Sequence, residues 1–410
     1  MRRCQFCGMP LQVAHMTSNL AVLRTRPDIA RALAWVRAND AATLTDMVQI
    51  TEIPAPSGGE GARAMWFRAR LLSLGFEDAD FDAAGNVIAR WTPEPVDGPA
   101  VVLAAHLDTV FAEDTILTVI TENGLRRAPG IADNSRGLAA LLAVGRALRQ
   151  VRWSPGRPVV LVGTVGEEGA GNLRGVKHLL REGAALRRAA AFIAVDGSGR
   201  RQIVHRAVGS MRMRFDVSGP GGHSWADRGR PNPLDALASA VVSMGRRVPD
   251  GAVIAPTRMG GGESVNSIPS VAWLEVDVRA DDADTLARAA GIARDAVERH
   301  LRRASDQRRP GLPALSLVTH SIGDRPVGAI SPKADLVRIA EQATRLTGEQ
   351  PELTAASTDA NVPLALGIPA IAVGAGGRSG ATHTTAEWYD NEGGPEGIQR
   401  LLLMLAALAE

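Results

Sequence analysis

Apolar residues recur at helical spacing over the first part of the chain, where Leu33, Val36, Met47, Ile50, Trp66 and Leu71 fall on successive turns between about 18 and 74. The cluster Pro54, Pro56, Ser57, Gly58 and Gly59 interrupts that pattern. After Gly75 short apolar runs alternate with helical stretches: strands are expected over 86–91, 100–105, 158–165 and 190–195, and helices over 134–149 and 171–182. That alternation is the signature of a sheet flanked by helices.

From about Val208 the texture changes. Residues 211–217 and 270–279 alternate apolar and polar side chains, as half-buried antiparallel strands do, and helices are expected over 232–246 and 282–303. The stretch 302–313, rich in Arg, Asp, Gln and Pro, reads as a surface loop. Beyond about Gly323 a helix over 334–347 and a strand over 370–373 resume the first pattern. The expected fold is therefore α/β: a large domain formed by residues 16–208 and 323–410, interrupted by a smaller α+β domain over 209–322.

Length and composition agree with two domains. A chain of 410 residues exceeds the size at which one core usually stops growing, and hydrophobic residues at 45% supply material for both. The 46 basic and 44 acidic side chains leave a formal net charge of +2, which gives no bulk attraction to nucleic acid or to an anionic membrane. No apolar run reaches the roughly 18–20 residues of a membrane span. Cys4 and Cys7 are the only cysteines, which excludes a disulfide framework and suits a reducing, cytoplasmic setting. They make half of a zinc-ribbon ligand set with no second pair to complete it, and an untidy N-terminus before Met16 is the plainer reading.

In open α/β sheets, ligands gather at the carboxyl ends of the strands, so the residues following each apolar run carry the chemistry. The run 101–105 ends in His106-Leu107-Asp108, whose spacing of two puts His106 and Asp108 on one face of the strand. The run 159–162 leads to Glu167 and Glu168 among glycines, where two adjacent carboxylates repel and a cation would relieve the conflict. The run 191–195 ends in Asp196, and 370–373 is followed by a glycine-rich loop, His383 and Glu387. Asp133 stands ahead of the helix bearing Leu138, Leu141 and Leu142, where a helix cap would be the ordinary reading. Singly, each has a bland alternative: a structural hydrogen bond, a solvated acidic loop, a turn acid or an exposed histidine. Together, five elements deliver a histidine or carboxylate to one edge of one sheet. A thiolate-free set of this kind suits zinc, cobalt or manganese, and five ligands shared by two ions leave room for water. Glu167, beside Glu168 and not needed as a ligand, is the natural general base.

These motifs, in this order, resemble the M20 metallopeptidases over essentially the whole chain from Met16, and within them the tripeptidases. The resemblance implies that His106 and Asp196 hold one zinc, Glu168 and His383 the other, and that Asp133 bridges them; Asp108 would orient His106, and a cis peptide would follow Asp133. It makes the inserted domain a lid or dimerisation domain. There, His223 in Gly219-Pro-Gly-Gly-His223-Ser224 would reach the partner subunit's active site and stabilise the oxyanion, while Asn266 and Arg279 would hold the substrate's free carboxylate. The implied reaction is attack of a metal-bridging water on the amide, with Glu167 as base. Asp196, within Val195-Asp-Gly-Ser-Gly199, matches the version that recognises a free amino end and points to a tripeptide aminopeptidase. An N-acyl-amino-acid deacylase or carboxypeptidase is the alternative. One departure is 356–361, Ala-Ser-Thr-Asp-Ala-Asn, where relatives often carry two glycines before the Asp. A binding protein on the same scaffold would have lost part of the metal set or the base, and neither is missing.

Overall fold

The computed structural model describes residues 20–91, 96–246 and 248–410, so Cys4 and Cys7 lie outside the described residues. Four apolar runs form the middle of the main sheet: Val159–Thr164, Val101–His106, Ala191–Val195 and Ala370–Val373, neighbours in that order and all parallel. Each is buried along its whole length. A parallel strand covered on both faces reads as an unbroken apolar run, which makes these four legible in the sequence. Successive side chains serve opposite layers: Leu103, Leu161 and Ile193 enter one core, and Val102, Val160 and Phe192 the other. The helices Ser135–Gln150 and Gly394–Leu408 contribute to the first core, Arg174–Leu179 and Asn361–Ala365 to the second.

Val87–Trp91 and Asp80–Phe81 extend the sheet antiparallel on one side. On the other, Gln202–Ala207 runs antiparallel to Ala370–Val373 and pairs with Glu352–Ala356 and Gly328–Ala329. Directly after Gln202–Ala207 the chain leaves for a second sheet, and it returns just before Gly328–Ala329. That second sheet is wholly antiparallel, in the order Ala252–Gly261, Val271–Ala280, Gly209–Ser218, Ser316–Arg325. The helices Pro233–Met244 and Ala283–Asp306 share a separate core with it, built on Phe215, Leu237, Leu274, Ala293 and Val297. The fold is α/β with an inserted α+β unit. Among the described residues no helix is long and apolar enough to cross a membrane.

Three local expectations change. The stretch 302–313 is not a loop throughout, because the helix Ala283–Asp306 runs into it and keeps Leu301 and Ser305 buried on its inner face. The helix expected over 171–182 shrinks to Arg174–Leu179, since left-handed Asn172 (φ 55) and Leu173 (φ 59) separate it from the short 3₁₀ turn Gly169–Gly171. The strands Ala252–Gly261 and Ser316–Arg325 have no counterpart in the apolar pattern: both are sheet edges, mostly exposed.

The helix behind the sheet edge is locked by Asn134. Its Oδ1 accepts the N–H of Gly137 and of Gly197, each at 3.1 Å, and its Nδ2 donates to the carbonyl of Val195 at 2.8 Å. This side chain, rather than Asp133, caps the helix, which leaves the Asp133 carboxylate for other work. A Cβ on Gly137 would stand 2.7 Å from the Val195 carbonyl oxygen and 2.1 Å from Asn134 Oδ1. Gly137→Ala is accordingly expected to cost about 1–3 kcal/mol, read as a lower urea midpoint with an unchanged slope. Wild-type stability in that variant would contradict the close approach.

Candidate active site

The four parallel strands end on one side, and the chain turns there into the loops that carry the acids and histidines. His106 is the last residue of its strand, Asp196 follows Val195, and Glu167 and Glu168 lie three and four residues beyond Thr164. Asp133 enters from the loop before its helix, and the Asp133–Asn134 peptide is cis. His383 comes from the loop between Arg378–Gly380 and Trp388–Asp390, two strands of a small antiparallel sheet that also includes Leu125–Arg127 and Ile120–Glu122. His383 holds φ 64, a left-handed conformation unfavourable outside glycine, as residues at functional sites often do.

The five expected ligands meet. His106 Nε2 lies 3.0 Å from Asp133 Oδ1 and 3.7 Å from Asp196 Oδ1. His383 Nε2 lies 3.1 Å from Asp133 Oδ2 and 2.9 Å from Glu168 Oε1. Asp133 therefore turns one oxygen to each histidine. His106, Asp133 and Asp196 form one set of donor atoms within 4.8 Å of one another, and Asp133, Glu168 and His383 form a second. Imidazole with carboxylate oxygens, grouped so tightly and without thiolates, fits a pair of borderline divalent cations. A third set, His106, Glu167 and Glu168, is equally compact, so proximity alone does not separate Glu167 from the ligands.

The polar groups around these donors account for their aim. His106 Nδ1 bonds to the main-chain oxygen of Asp108 at 3.0 Å, whereas the Asp108 carboxylate is 3.7 Å away. The expected orienting role of the Asp108 carboxylate thus passes to its backbone. The carboxylate instead accepts the N–H groups of Glu167 and Glu168, both at 2.9 Å, and the Ser57 hydroxyl at 2.6 Å, fixing the paired glutamates. Glu387, fully buried, accepts the N–H of Gly130 at 2.9 Å, of Ala132 at 2.9 Å and of Asp133 at 3.1 Å, and so ties the His383 loop to the Asp133 loop. Its place four residues after His383 is the one signal of this in the sequence.

A cavity of about 300 Å³ opens over the donors and is lined also by Arg212, Arg279, Arg325 and Ser357. Arg279, expected to hold a substrate carboxylate, stands in its wall, and Ser357 belongs to the 356–361 stretch, whereas Arg212 and Arg325 carry no motif that singles them out. His223 and Asn266 do not line the cavity. Both are exposed and adjacent to each other, the Ser224 N–H donating to the Asn266 carbonyl at 2.9 Å. Among the described residues, a larger cavity of about 540 Å³ between Arg90, Leu186 and Arg188 has neither acid nor histidine in its wall.

The sequence pattern that defines peptidase family M20/M25/M40 matches residues 102–408, three quarters of the chain and a span that contains His106, Asp133, Glu168, Asp196 and His383. The chain belongs to this family. A tripeptidase from Staphylococcus aureus has the same fold with a TM-score of 0.74 at 20% identity, over 90% of this chain and 98% of that one. The aminopeptidase PepT from Bacillus cereus matches with a TM-score of 0.71 at 18% identity over the same shares. A dipeptidase from Saccharomyces cerevisiae matches with a TM-score of 0.74 at 14% identity, over 93% of this chain and 98% of that one. The protein is a hydrolase of peptide or amide bonds, from a family whose peptidases depend on metal.

In this M20 enzyme the donor set holds protons when no cation is bound. Hydrogen bonds to Asp133 and Glu168 push the His383 ring up to about 10. Burial favours the neutral form of His106, yet its bonds to Asp133 and Asp196 outweigh burial and raise it well above the usual imidazole range. Burial also raises the Asp196 carboxyl. Both imidazoles thus begin protonated near neutral pH and must lose the proton to ligate. Zinc binding near pH 7 is expected to release protons, measured by calorimetry in two buffers of different ionisation enthalpy. The release should shrink as the pH nears about 10. Zinc uptake without proton release at neutral pH would contradict this charge state.

Proposed function

We propose that the enzyme is a dinuclear zinc exopeptidase of short peptides, and specifically a tripeptide aminopeptidase. The observation that carries this reading is the Asp133 carboxylate, each of whose oxygens faces a different histidine. His106 and Asp196 would hold one cation, Glu168 and His383 the other, and Asp133 both; cobalt or manganese would fit the same donors. When bound, the two cations polarise the scissile carbonyl and make the attacking water more acidic.

The chain's own residues supply the proton transfers and the grip on the substrate. Glu167, buried at the floor of the cavity, takes a proton from the water and passes it to the leaving nitrogen. Arg279 uses its Nε on Asp277 at 2.8 Å, which leaves its outer nitrogens for the peptide's carboxylate. His223 Nδ1 accepts the N–H groups of Trp225 at 3.1 Å and Ala226 at 3.3 Å, so the neutral ring carries its proton on Nε2. That nitrogen is then a donor for a tetrahedral oxyanion. Because His223 and Asn266 stand outside the cavity of their own chain, both act in this reading across a homodimer formed through the smaller unit, covering 209–322, while 16–208 and 323–410 make up the catalytic domain. The two cysteines and the balanced charge fit a cytoplasmic enzyme.

The preference for tripeptides rests on Asp196 in its Val-Asp-Gly-Ser-Gly setting and on the similar structures named as a tripeptidase and an aminopeptidase. Zinc- or cobalt-loaded enzyme should cleave Leu-Gly-Gly and leave acetyl-leucine intact. The reverse preference would assign it to the N-acyl-amino-acid deacylases instead. Glu167→Gln should retain both metals by elemental analysis and lose activity by at least roughly 10² to 10⁴ fold. Wild-type turnover in that variant would remove Glu167 from the role of base.

A further inference from the structure

Glu167 and Glu168 are consecutive, both buried, and both within reach of the His106 ring, yet the proposed chemistry needs one as a ligand and the other free. What distinguishes them is Arg325. It is the last residue of the edge strand Ser316–Arg325, where the chain returns from the second sheet. Its guanidinium is buried and donates from Nη1 to Glu167 Oε1 at 3.0 Å and to the Ser357 hydroxyl at 3.2 Å, and from Nη2 to the main-chain oxygen of Glu167. With Asp108 accepting the Glu167 N–H at 2.9 Å, the residue is gripped on both sides of its peptide and at one carboxylate oxygen. Oε2 alone makes no hydrogen bond among the described residues. Among the described residues Glu168 has no cationic partner but His383.

We propose that Arg325 is a positioning residue that keeps Glu167 off the metal ions and presents its Oε2 to the water, so sorting the adjacent glutamates into ligand and base. The physical ground is charge. A carboxylate already paired with a buried guanidinium gains less from a dication than an unpaired one does, and placing the dication there would set two positive centres against each other at short range. An arginine that holds Glu167 at two points, a carboxylate oxygen and the main-chain oxygen, also fixes it more firmly than a lysine could. The stretch 356–361 takes part, since Ser357 gives Nη1 its second acceptor.

The inference rests on reading Glu167 as the base, and the test separates the two claims. Cobalt-loaded protein reports its ligands through visible absorption, with or without a substrate. Wild type and Glu167→Gln should share one spectrum. Arg325→Met should shift it, because the released Glu167 joins the coordination, and the double variant Arg325→Met with Glu167→Gln should restore the wild-type bands. If the Met variant does not fold, Arg325→Gln carries the same expectation. Peptide turnover by the Arg325 variant should fall by roughly 10² fold or more in kcat with little change in KM, and Arg325→Lys should recover part of it. An unshifted spectrum in Arg325→Met, or a shift that persists in the double variant, overturns the proposal. Cobalt-loaded wild type that cleaves neither peptides nor acyl amino acids would sink the peptidase reading, while the spectra would still decide what Arg325 does.

Discussion

One carboxylate shared between two imidazoles is the constraint on which the structure depends. Asp133 can face His106 and His383 at about 3 Å each only if the loop before its helix and the loop between Arg378–Gly380 and Trp388–Asp390 are held in register. The acids gathered there repel one another, and burial makes each charge harder to carry. Bound cations would resolve both difficulties at once. The parallel sheet makes the gathering possible, because its neighbouring strands all release their chains on the same side.

Holding so many donors in place requires a layer of polar groups around them. Asn134 ties the Asp133 helix to the strand that ends before Asp196. Asp108 fixes the backbone of the paired glutamates, and Glu387 fixes the backbone of the Asp133 loop. Arg325 then acts on the Glu167 side chain itself. Each is buried and uses most of its hydrogen-bonding capacity, as polar groups in a low-dielectric interior must. Arg325 also ends a strand of the second sheet, so that sheet reaches the cavity through Arg325 as well as through Arg279.

Much of this is legible in the sequence, for identifiable reasons. The central strands show because both their faces are buried, and His106, Glu168 and Asp196 show because they follow such runs closely; Asp133, ahead of a helix, and His383, beyond a glycine-rich loop, stand out only in their company. The edge strands Ala252–Gly261 and Ser316–Arg325 do not, since exposure removes the alternation that would mark them. Asp108 stands out in the sequence as a partner of His106, but a strand end offers two groups per residue, and here the backbone oxygen takes the ring while the carboxylate reaches a different loop. Arg325 is 158 positions from Glu167, and only the tertiary fold brings them together. The three further helical residues up to Asp306 follow from a buried face that polar neighbours disguise.

Anomalous diffraction at the zinc edge, on crystals of the zinc-loaded protein, tests the central claim most directly. Two peaks about 3.5–4 Å apart are expected, with Asp133 between them, His106 and Asp196 at one, and Glu168 and His383 at the other. A single peak, or a pair that Asp133 does not bridge, would contradict the account.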